Sequence, residues 1–173
     1  MLLSNSSSSL DHLTLRHGNG QGFYLQNNSA TIEDNASYGV VTYGSRLHLS
    51  NSSIDKNSAV GLAIDGASTV LVDNSTIAGN TGATGGGISN GGTLTLASST
   101  VSGNSAQDAG GVYNAGTLMV ADSVLAGNRA ASGAADCSGA LVSKGQTTVF
   151  VALTHEVYLC RAAWPMGRWM RRR

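Results

Sequence analysis

The sequence predicts an all-β protein, a solenoid in the form of a parallel β-helix with about five to six coils of 22–24 residues. Three observations predict this fold. A short motif recurs at a nearly constant interval, aliphatic residues keep step with it, and the turns are rich in glycine and asparagine. Up to residue 145 no helical periodicity is visible, and Asn, Ser, Thr and Gly, which are poor helix formers, dominate.

The recurring motif consists of Ser or Thr, an aliphatic residue, two variable residues and Asn. Its last copy has Val124 in the first place, and the copies end at Asn35, Asn57, Asn80, Asn104 and Asn128. The steps between successive asparagines are 22, 23, 24 and 24 residues. A fixed period of this length is typical of a repeat architecture in which each unit is one turn of a solenoid.

Aliphatic residues recur at four positions of the unit. The stretch from Leu94 to Leu96 alternates aliphatic and polar residues, which is the two-residue period of a half-buried strand. Each unit is therefore predicted to hold about three short strands separated by turns. The four columns are Leu47, Val70, Leu94 and Leu118; Leu49, Val72, Leu96 and Val120; Val40, Leu62, Ile88 and Val112, each after a glycine; and Ile54, Ile77, Val101 and Leu125 of the motif.

A single unit is too small to fold alone, because burying four aliphatic side chains contributes less than the conformational entropy of ordering the whole unit costs. The units must therefore stack and share the hydrogen bonds of their strands. Coiling the chain once per unit places equivalent residues about 4.8 Å apart in successive coils. The four aliphatic columns then become four internal ladders, which is the arrangement of a parallel β-helix.

The asparagine column predicts a structural ladder. A turn that repeats in every coil often requires a positive φ, which Asn and Gly tolerate, and stacked Asn amides hydrogen-bond to one another and to the turn backbone. This interpretation assigns no catalytic, cofactor-binding or metal-binding residue. The predicted ladder consists of Asn35, Asn57, Asn80, Asn104 and Asn128, and a second ladder starts with Asn90 and Asn114.

The stretch from Gly85 to Ala106, GGGISNGGTLTLASSTVSGNSA, resembles the repeats of pectate-lyase-like right-handed parallel β-helix proteins, and most closely those of exported, adhesin-like repeat proteins of bacterial surfaces. The resemblance covers about residues 13–145 and rests on scaffold residues. It implies a right-handed coil and a location outside the cell or at its surface. It also implies adhesion or glycan contact, with surface glycans or host cell-surface molecules as partners.

Two functions stay open. The leading one is a non-catalytic module of a bacterial cell-surface or secreted protein, without a cofactor. The alternative is a fragment of a polysaccharide lyase or glycoside hydrolase, which would need carboxylates clustered with a basic residue or paired across the bond. Asp73 and Asp122 fall near one column, two coils apart with Ser98 between them, but the acidic residues form no conspicuous cluster. An outer face with clustered acids and a base would favour the enzyme, and a uniform Ser, Thr and Asn face would favour the surface module.

Other candidate residues are weaker. Tyr24 and Tyr113 stand at equivalent offsets from Gly22 and Gly111, which suits either stacking on sugar rings or an ordinary surface position. No apolar run approaches the roughly 18 to 20 residues of a membrane span. We expect no nucleic-acid partner either. The histidines show no metal-ligand spacing; they are residues 12, 17, 48 and 155.

The chain divides into residues 1–145, the repeat domain with an irregular first coil at residues 1–30, and residues 146–173, an atypical tail. The repeat domain carries 5 basic and 9 acidic residues, a net charge of −4, whereas the tail carries 5 Arg and one Glu, a net charge of +4. The start of the chain lacks the features of a signal peptide. It also lacks a cap for the first coil, so we expect the sequence to be part of a longer protein.

The tail has two interpretations. It contains both Trp, the only Pro and five of the eight Arg, but no Ser, Asn or Asp. One interpretation is a cap with a strand around residues 149–153. The other, favoured by the abrupt compositional change, is a shifted reading frame near residue 146. The second predicts that residues 154–173 pack poorly or not at all on the last coil, and that Cys137 and Cys160 form no native disulfide.

Overall fold

The structure is a computed structural model that describes residues 38–44 and 46–144, together with the backbone of six short strands outside these ranges. The described elements are all β-strands, numbered here in chain order. Towards the N-terminus lie β1 (Leu2–Leu3), β2 (Ser8–Ser9), β3 (Phe23–Leu25) and β4 (Asn28–Ser29). Four successive coils follow. They are β5 (Val40–Thr42), β6 (Arg46–Ser50) and β7 (Ser53–Asp55); β8 (Leu62–Ile64), β9 (Thr69–Asp73), β10 (Thr76–Ala78) and β11 (Thr81–Thr84); β12 (Ile88–Asn90), β13 (Thr93–Ala97), β14 (Thr100–Ser102) and β15 (Ser105–Asp108); and β16 (Val112–Asn114), β17 (Thr117–Ala121), β18 (Val124–Ala126) and β19 (Arg129–Ser132). The last strands are β20 (Cys137–Ser138), β21 (Ala140–Lys144), β22 (Thr148–Val149) and β23 (Arg161–Ala162).

Strands from successive coils pair in parallel and form sheets that run along the solenoid. The first sheet has the order β1-β3-β5-β8-β12-β16-β20, and the second has the order β23-β21-β17-β13-β9-β6. The third sheet is β22-β18-β14-β10-β7, and the fourth is the short sheet β11-β15-β19. Strands β2 and β4 form a separate pair. Sequence neighbours therefore lie on different sheets, as a parallel β-helix requires.

The interior consists of the four predicted aliphatic ladders, which confirms the fold class. Leu96 pairs in register with Val72 and Val120 of the adjacent coils, and Val101 pairs with Ile77 and Leu125. All six side chains are almost fully buried. The second-sheet strands show the expected alternation, with outward residues exposed or half-buried between buried ones. The side-chain period of two thus separates core from surface on each strand.

The fold differs from the sequence-based expectation in two respects. Four coils are complete within the described ranges, fewer than the five to six predicted for the whole chain. Three of these coils hold four strands rather than three, because the segment after the ladder asparagine is long enough to form β11, β15 and β19. These segments have no aliphatic alternation, so their pairing depends on the backbone and leaves little trace in the side-chain pattern.

Positive φ angles occur next to the ladder asparagines rather than at them. Lys56, Gly79, Gly103 and Gly127, each directly before a ladder asparagine, have φ between 53° and 72°. The asparagine itself is therefore free to turn its amide inward while its neighbour makes the left-handed turn. The expectation that the ladder asparagines supply the positive φ is wrong for these coils. A second series of positive φ angles, from 45° to 52°, follows the second sheet at Asn51, Asn74, Ser98 and Asp122.

Two short strands of the tail continue the solenoid. The prediction that residues 154–173 pack poorly or not at all on the last coil stays a prediction, because β23 alone is described within that range. The backbone of β23 pairs in parallel with β21, with Arg161 opposite Ala140, and β22 pairs with β18. The last coil presents an open sheet edge, and backbone groups there bond to an added strand whatever its side chains are. The prediction that Cys137 and Cys160 form no native disulfide is contradicted at Cys137, which is disulfide-bonded. Cys160 lies outside the described residues.

Candidate functional surfaces

The structure brings four of the five motif asparagines into one buried column after the third sheet. Asn57 Nδ2 donates to Asn80 Oδ1 at 2.6 Å, Asn80 Nδ2 donates to Asn104 Oδ1 at 2.9 Å, and Asn104 Nδ2 donates to Asn128 Oδ1 at 2.9 Å. The same oxygens accept the backbone N–H of the preceding asparagine at 2.9 to 3.1 Å. Asn35 lies outside the described residues. Each asparagine thus donates to the asparagine of the next coil, and the column links four consecutive coils.

Three of these amides also donate to the backbone. Asn80, Asn104 and Asn128 donate from Nδ2 to the carbonyls of Ile54, Ile77 and Val101 in the preceding coil, at 2.9 to 3.0 Å. A shorter ladder lies after the first sheet, where Asn90 Nδ2 donates to Asn114 Oδ1 at 2.7 Å. These buried polar side chains therefore have the partners that burial requires.

The glycines before the first sheet make room for the asparagine column. A Cβ at Gly61 would lie 2.7 Å from Asn80 Nδ2, and a Cβ at Gly87 would lie 2.8 Å from Asn104 Nδ2. These distances are shorter than a side-chain contact permits, so the amide occupies the space that a larger residue would need. The glycine and the asparagine of each coil therefore form a matched pair, which explains why glycine precedes each aliphatic residue of the first sheet.

Asp136 ends the ladder. Its Oδ1 accepts the backbone N–H and the Nδ2 of Asn128, both at 2.9 Å, and the residue is fully buried. Because Val112 pairs with Cys137, Asp136 stands in the glycine column one coil after Gly111. A carboxylate accepts hydrogen bonds and donates none, so the series of donors stops here. Within the described part of the chain, Asp136 Oδ2 is buried without a hydrogen-bond partner.

The sequence-based interpretation did not identify Asp136, although the sequence contains a pattern that marks it. It interrupts the glycine column after Gly111, and the sequence contains no Asn after Asn128. In the coil after Asn128, the side chain of Asp136 thus takes the place of both the column glycine and the ladder asparagine. The loss of both columns in the same coil is the pattern that predicts a terminating residue.

A second polar column, also missed from the sequence, lies in the turn between the second and third sheets. Ser52 N–H donates to Ser75 Oγ at 3.1 Å, Ser75 N–H donates to Ser99 Oγ at 3.1 Å, and Ser99 N–H donates to Ser123 Oγ at 3.0 Å. Each Oγ donates in turn to the carbonyl two residues earlier, at 2.6 to 2.7 Å. The signal was the serine that immediately precedes the motif in each of these coils.

We expect Ser99→Ala to lower the free energy of unfolding by about 1 to 3 kcal/mol, because Ser75 N–H is then buried without an acceptor. Ser102→Ala, which removes a half-buried hydroxyl from the outward side of the third sheet, should change stability by less than about 0.5 kcal/mol. Urea unfolding followed by circular dichroism measures both. Equal effects of the two substitutions would contradict a structural role for the serine column.

The outward side of the second sheet is an extended face of hydroxyl and apolar groups, called here the threonine face. Its first column contains the exposed Thr69, Thr93 and Thr117, which pair in register, and continues in the preceding coil to the exposed Arg46. The column beside it contains His48, Leu71, Thr95, Met119 and Val142. Small Ala97 and Ala121 complete the face, and Asp73 continues their column in the preceding coil.

An open cavity of about 600 Å³, called here the notch, lies between the first and fourth sheets. Its lining includes Ala63 and Ser89 of the first sheet, Tyr38, residues 58–60 and strand β11. None of these lining residues is charged. The notch occurs where the segment between the ladder asparagine and the glycine before the next first-sheet strand changes in length. This segment has three residues, 58–60, before Gly61 and six residues, 81–86, before Gly87.

The described acidic residues lie on different faces. Asp55 belongs to the third sheet and is 4.0 Å from Lys56 Nζ, whereas Asp108 belongs to the fourth. Asp65, in the turn after β8, accepts from Gly44 N–H at 3.2 Å and from the Ser68 hydroxyl. Across the described ranges, no group of three His, Cys, Asp or Glu residues is placed to hold a metal ion.

The remaining candidate residues lie in several columns and sheets. Asp73 is in register with Ala97 and Ala121, so Asp122 stands in the neighbouring column rather than the same one. Tyr24 and Tyr113 fall in one register column of the first sheet, through Val41, Ala63 and Ser89. His48 lies on the second sheet, and the histidines at 12, 17 and 155 lie outside the described residues.

Parallel strands that pair from coil to coil around one aliphatic core, with internal Asn and Ser ladders, define the protein as a parallel β-solenoid. The chain belongs to the right-handed β-helix family, because residues 1–151 match the family described as Right handed beta helix region. This match confirms the right-handed parallel β-helix inferred from the repeats. No curated protein and no solved structure matches the chain significantly. In the described part of the chain, no helix is long and apolar enough to cross a membrane.

Proposed function

We propose that the chain is a non-catalytic module of a bacterial cell-surface or secreted protein and that its threonine face contacts glycans. The observation that carries this proposal is the exposed column of Thr69, Thr93 and Thr117 beside the apolar side chains of Leu71 and Met119. The surface location comes from the likeness of the repeats to exported, adhesin-like proteins.

The chemistry of the threonine face suits a neutral polysaccharide. Each Thr hydroxyl both donates and accepts hydrogen bonds, and a sugar chain presents hydroxyls along its edges and weakly apolar C–H groups on its ring faces. The hydroxyls of Thr93 and Thr117 recur from coil to coil at about 4.8 Å. A repeated surface of this kind can meet a repeated ligand at several points, and many weak contacts together give useful affinity.

The positions of the carboxylates support binding over polysaccharide cleavage. Lyases and hydrolases of this fold class need acidic groups brought together with a base or with each other. On the threonine face strands β9, β13 and β17 contribute Asp73 alone among ionisable residues, and the flanking strands β6 and β21 add the bases Arg46, His48 and Lys144 but no second acid. Asp73 is the only acid among the described outward residues of this sheet, so the face lacks the paired carboxylates that a hydrolase needs.

We expect the double substitution Thr93→Val and Thr117→Val to weaken glycan binding by about tenfold, because two hydroxyls are lost while the β-branched shape is kept. The probes are neutral hexasaccharides of glucose, mannose and xylose, measured by isothermal titration calorimetry. The matched control is Thr76→Val and Thr100→Val on the third sheet, which should change affinity less than about twofold.

Two results would contradict the proposal. One is a lack of binding to every hexasaccharide, and the other is an equal loss of affinity in the control. The same protein incubated with pectate or alginate, with and without calcium, should release no unsaturated or reducing ends above a blank. Release of such ends would establish the enzymatic alternative instead.

A further inference from the structure

The notch lies beside an unpaired edge of the fourth sheet. Strand β11 pairs with β15, and no described strand pairs with it on the opposite side. On that side Thr81 N–H donates to Asn57 O at 3.0 Å. Because successive residues of a strand direct their backbone groups to alternate sides, Thr81 C=O and Ala83 N–H also face the notch.

The edge of β11 is unpaired because the segment after Asn57 in the preceding coil is short. In the two following coils, the segments after the ladder asparagine are long enough to place β15 beside β11 and β19 beside β15. Residues 58–60 are three residues shorter than residues 81–86 and form no strand. The notch therefore occupies the place where a fourth strand of the sheet would lie.

From these observations we infer that the notch binds an extended polypeptide segment of a partner protein, which adds a parallel strand to the edge of β11. One residue of that segment donates its N–H to Thr81 O and accepts a hydrogen bond from Ala83 N–H. Strand addition to an exposed edge is a general mode of peptide recognition in which main-chain bonds give the affinity. This site is separate from the threonine face and does not depend on the proposed glycan contact.

The fourth sheet itself indicates which segment fits. Its strands read TGAT, SAQD and RAAS, and the second positions Gly82, Ala106 and Ala130 are in register. At Gly82 itself there is little room for a side chain, since a Cβ would lie 2.9 Å from Val60 Cγ2, and its two partners are alanines. The lining is otherwise uncharged, with Ala59, Ala63 and hydroxyl side chains. The partner segment is therefore uncharged, about four residues long, and has Gly or Ala at its second position.

The test uses the whole chain labelled with ¹⁵N and the blocked hexapeptide NTGATG, which copies residues 80–85. We expect the peptide to shift the amide signals of β11 and residues 58–60. A scan of single backbone N-methylations should weaken binding on the order of tenfold at alternate positions, with less than about a twofold effect at the positions between them. Binding that is equally sensitive at every position, or no binding at millimolar peptide, overturns the inference.

Two variants of the chain and one control variant add independent evidence. Ala83→Pro removes the N–H that faces the notch and should abolish peptide binding, whereas Ala83→Ser keeps the N–H and should bind normally. Lengthening residues 58–60 by three residues should supply the missing strand and also abolish binding. If Ala83→Pro fails to fold, the N-methyl scan still decides, because it leaves the protein unchanged. Neutral hexasaccharides that shift the same amides in place of the peptide would show a sugar site and overturn the inference.

Discussion

Leu96→Asp is expected to abolish folding. Leu96 is fully buried, and in the second sheet it pairs with Val72 below and Val120 above. An aspartate there has no cation or hydrogen-bond donor beside it, and an unpaired buried charge costs several kcal/mol. Domains of this size have a total stability of only about 5 to 15 kcal/mol. The variant should lack the cooperative thermal transition of the wild type in circular dichroism.

The matched control for this prediction is Thr95→Asp. Thr95 is the adjacent residue of the same strand, but its side chain is half-buried on the outward side of the sheet. The same new charge should therefore remain hydrated and lower stability by about 1 kcal/mol or less. Wild-type stability of Leu96→Asp, or equal damage from the two substitutions, would contradict the assignment of inward and outward positions.

Asn104→Ala should lower the free energy of unfolding by about 4 kcal/mol or more. Its side chain accepts two hydrogen bonds from Asn80 and donates to Ile77 O and Asn128 Oδ1. After truncation these groups stay buried, and each buried group without a partner costs about 1 to 3 kcal/mol. Urea unfolding monitored by circular dichroism measures the loss.

Asn74→Gly is the control for the asparagine column. Asn74 is exposed, its Nδ2 donates to Asn51 Oδ1 at 2.6 Å, and its φ of 45° is one that glycine adopts readily. Removing this amide should cost about 1 kcal/mol or less, because water satisfies Asn51 in its place. If Asn104→Ala were no more harmful than Asn74→Gly, the buried column would contribute little to stability.

The sequence was sufficient to predict the interior of this protein because the aliphatic residues and the motif asparagines that form it are both periodic. The columns that contain Leu94 and Leu96 recur with the same spacing as the motif asparagines, so one alignment of the units places them all. The registers then follow, since a shift by one residue would turn every aliphatic side chain outward. The asparagines could be assigned to a column for the same reason, although the positive φ was assigned to the wrong residue.

The features that the sequence did not predict depend on backbone groups or on a single exception. Strand β11 and its neighbours have no aliphatic pattern, and β23 pairs through its main chain next to Trp and Arg residues that break the repeat. Asp136 occurs once, and the sequence marks it only as the point where the glycine and asparagine columns both stop. The notch arises from a three-residue difference in loop length, which has a spatial meaning only after the coils are stacked.

The end of the asparagine ladder at Asp136 has a consequence for the evolution of this scaffold. Each unit between Asn57 and Asn128 receives hydrogen bonds from the unit before it and donates to the unit after it, so a duplicated unit would be complete as soon as it is inserted. The two most similar neighbours, which read GGISNGGTLTLASSTVSGNSA and GGVYNAGTLMVADSVLAGNRA, are 24 residues apart. Unequal recombination between such copies would lengthen or shorten the solenoid by whole coils, while Asp136 would still close the ladder.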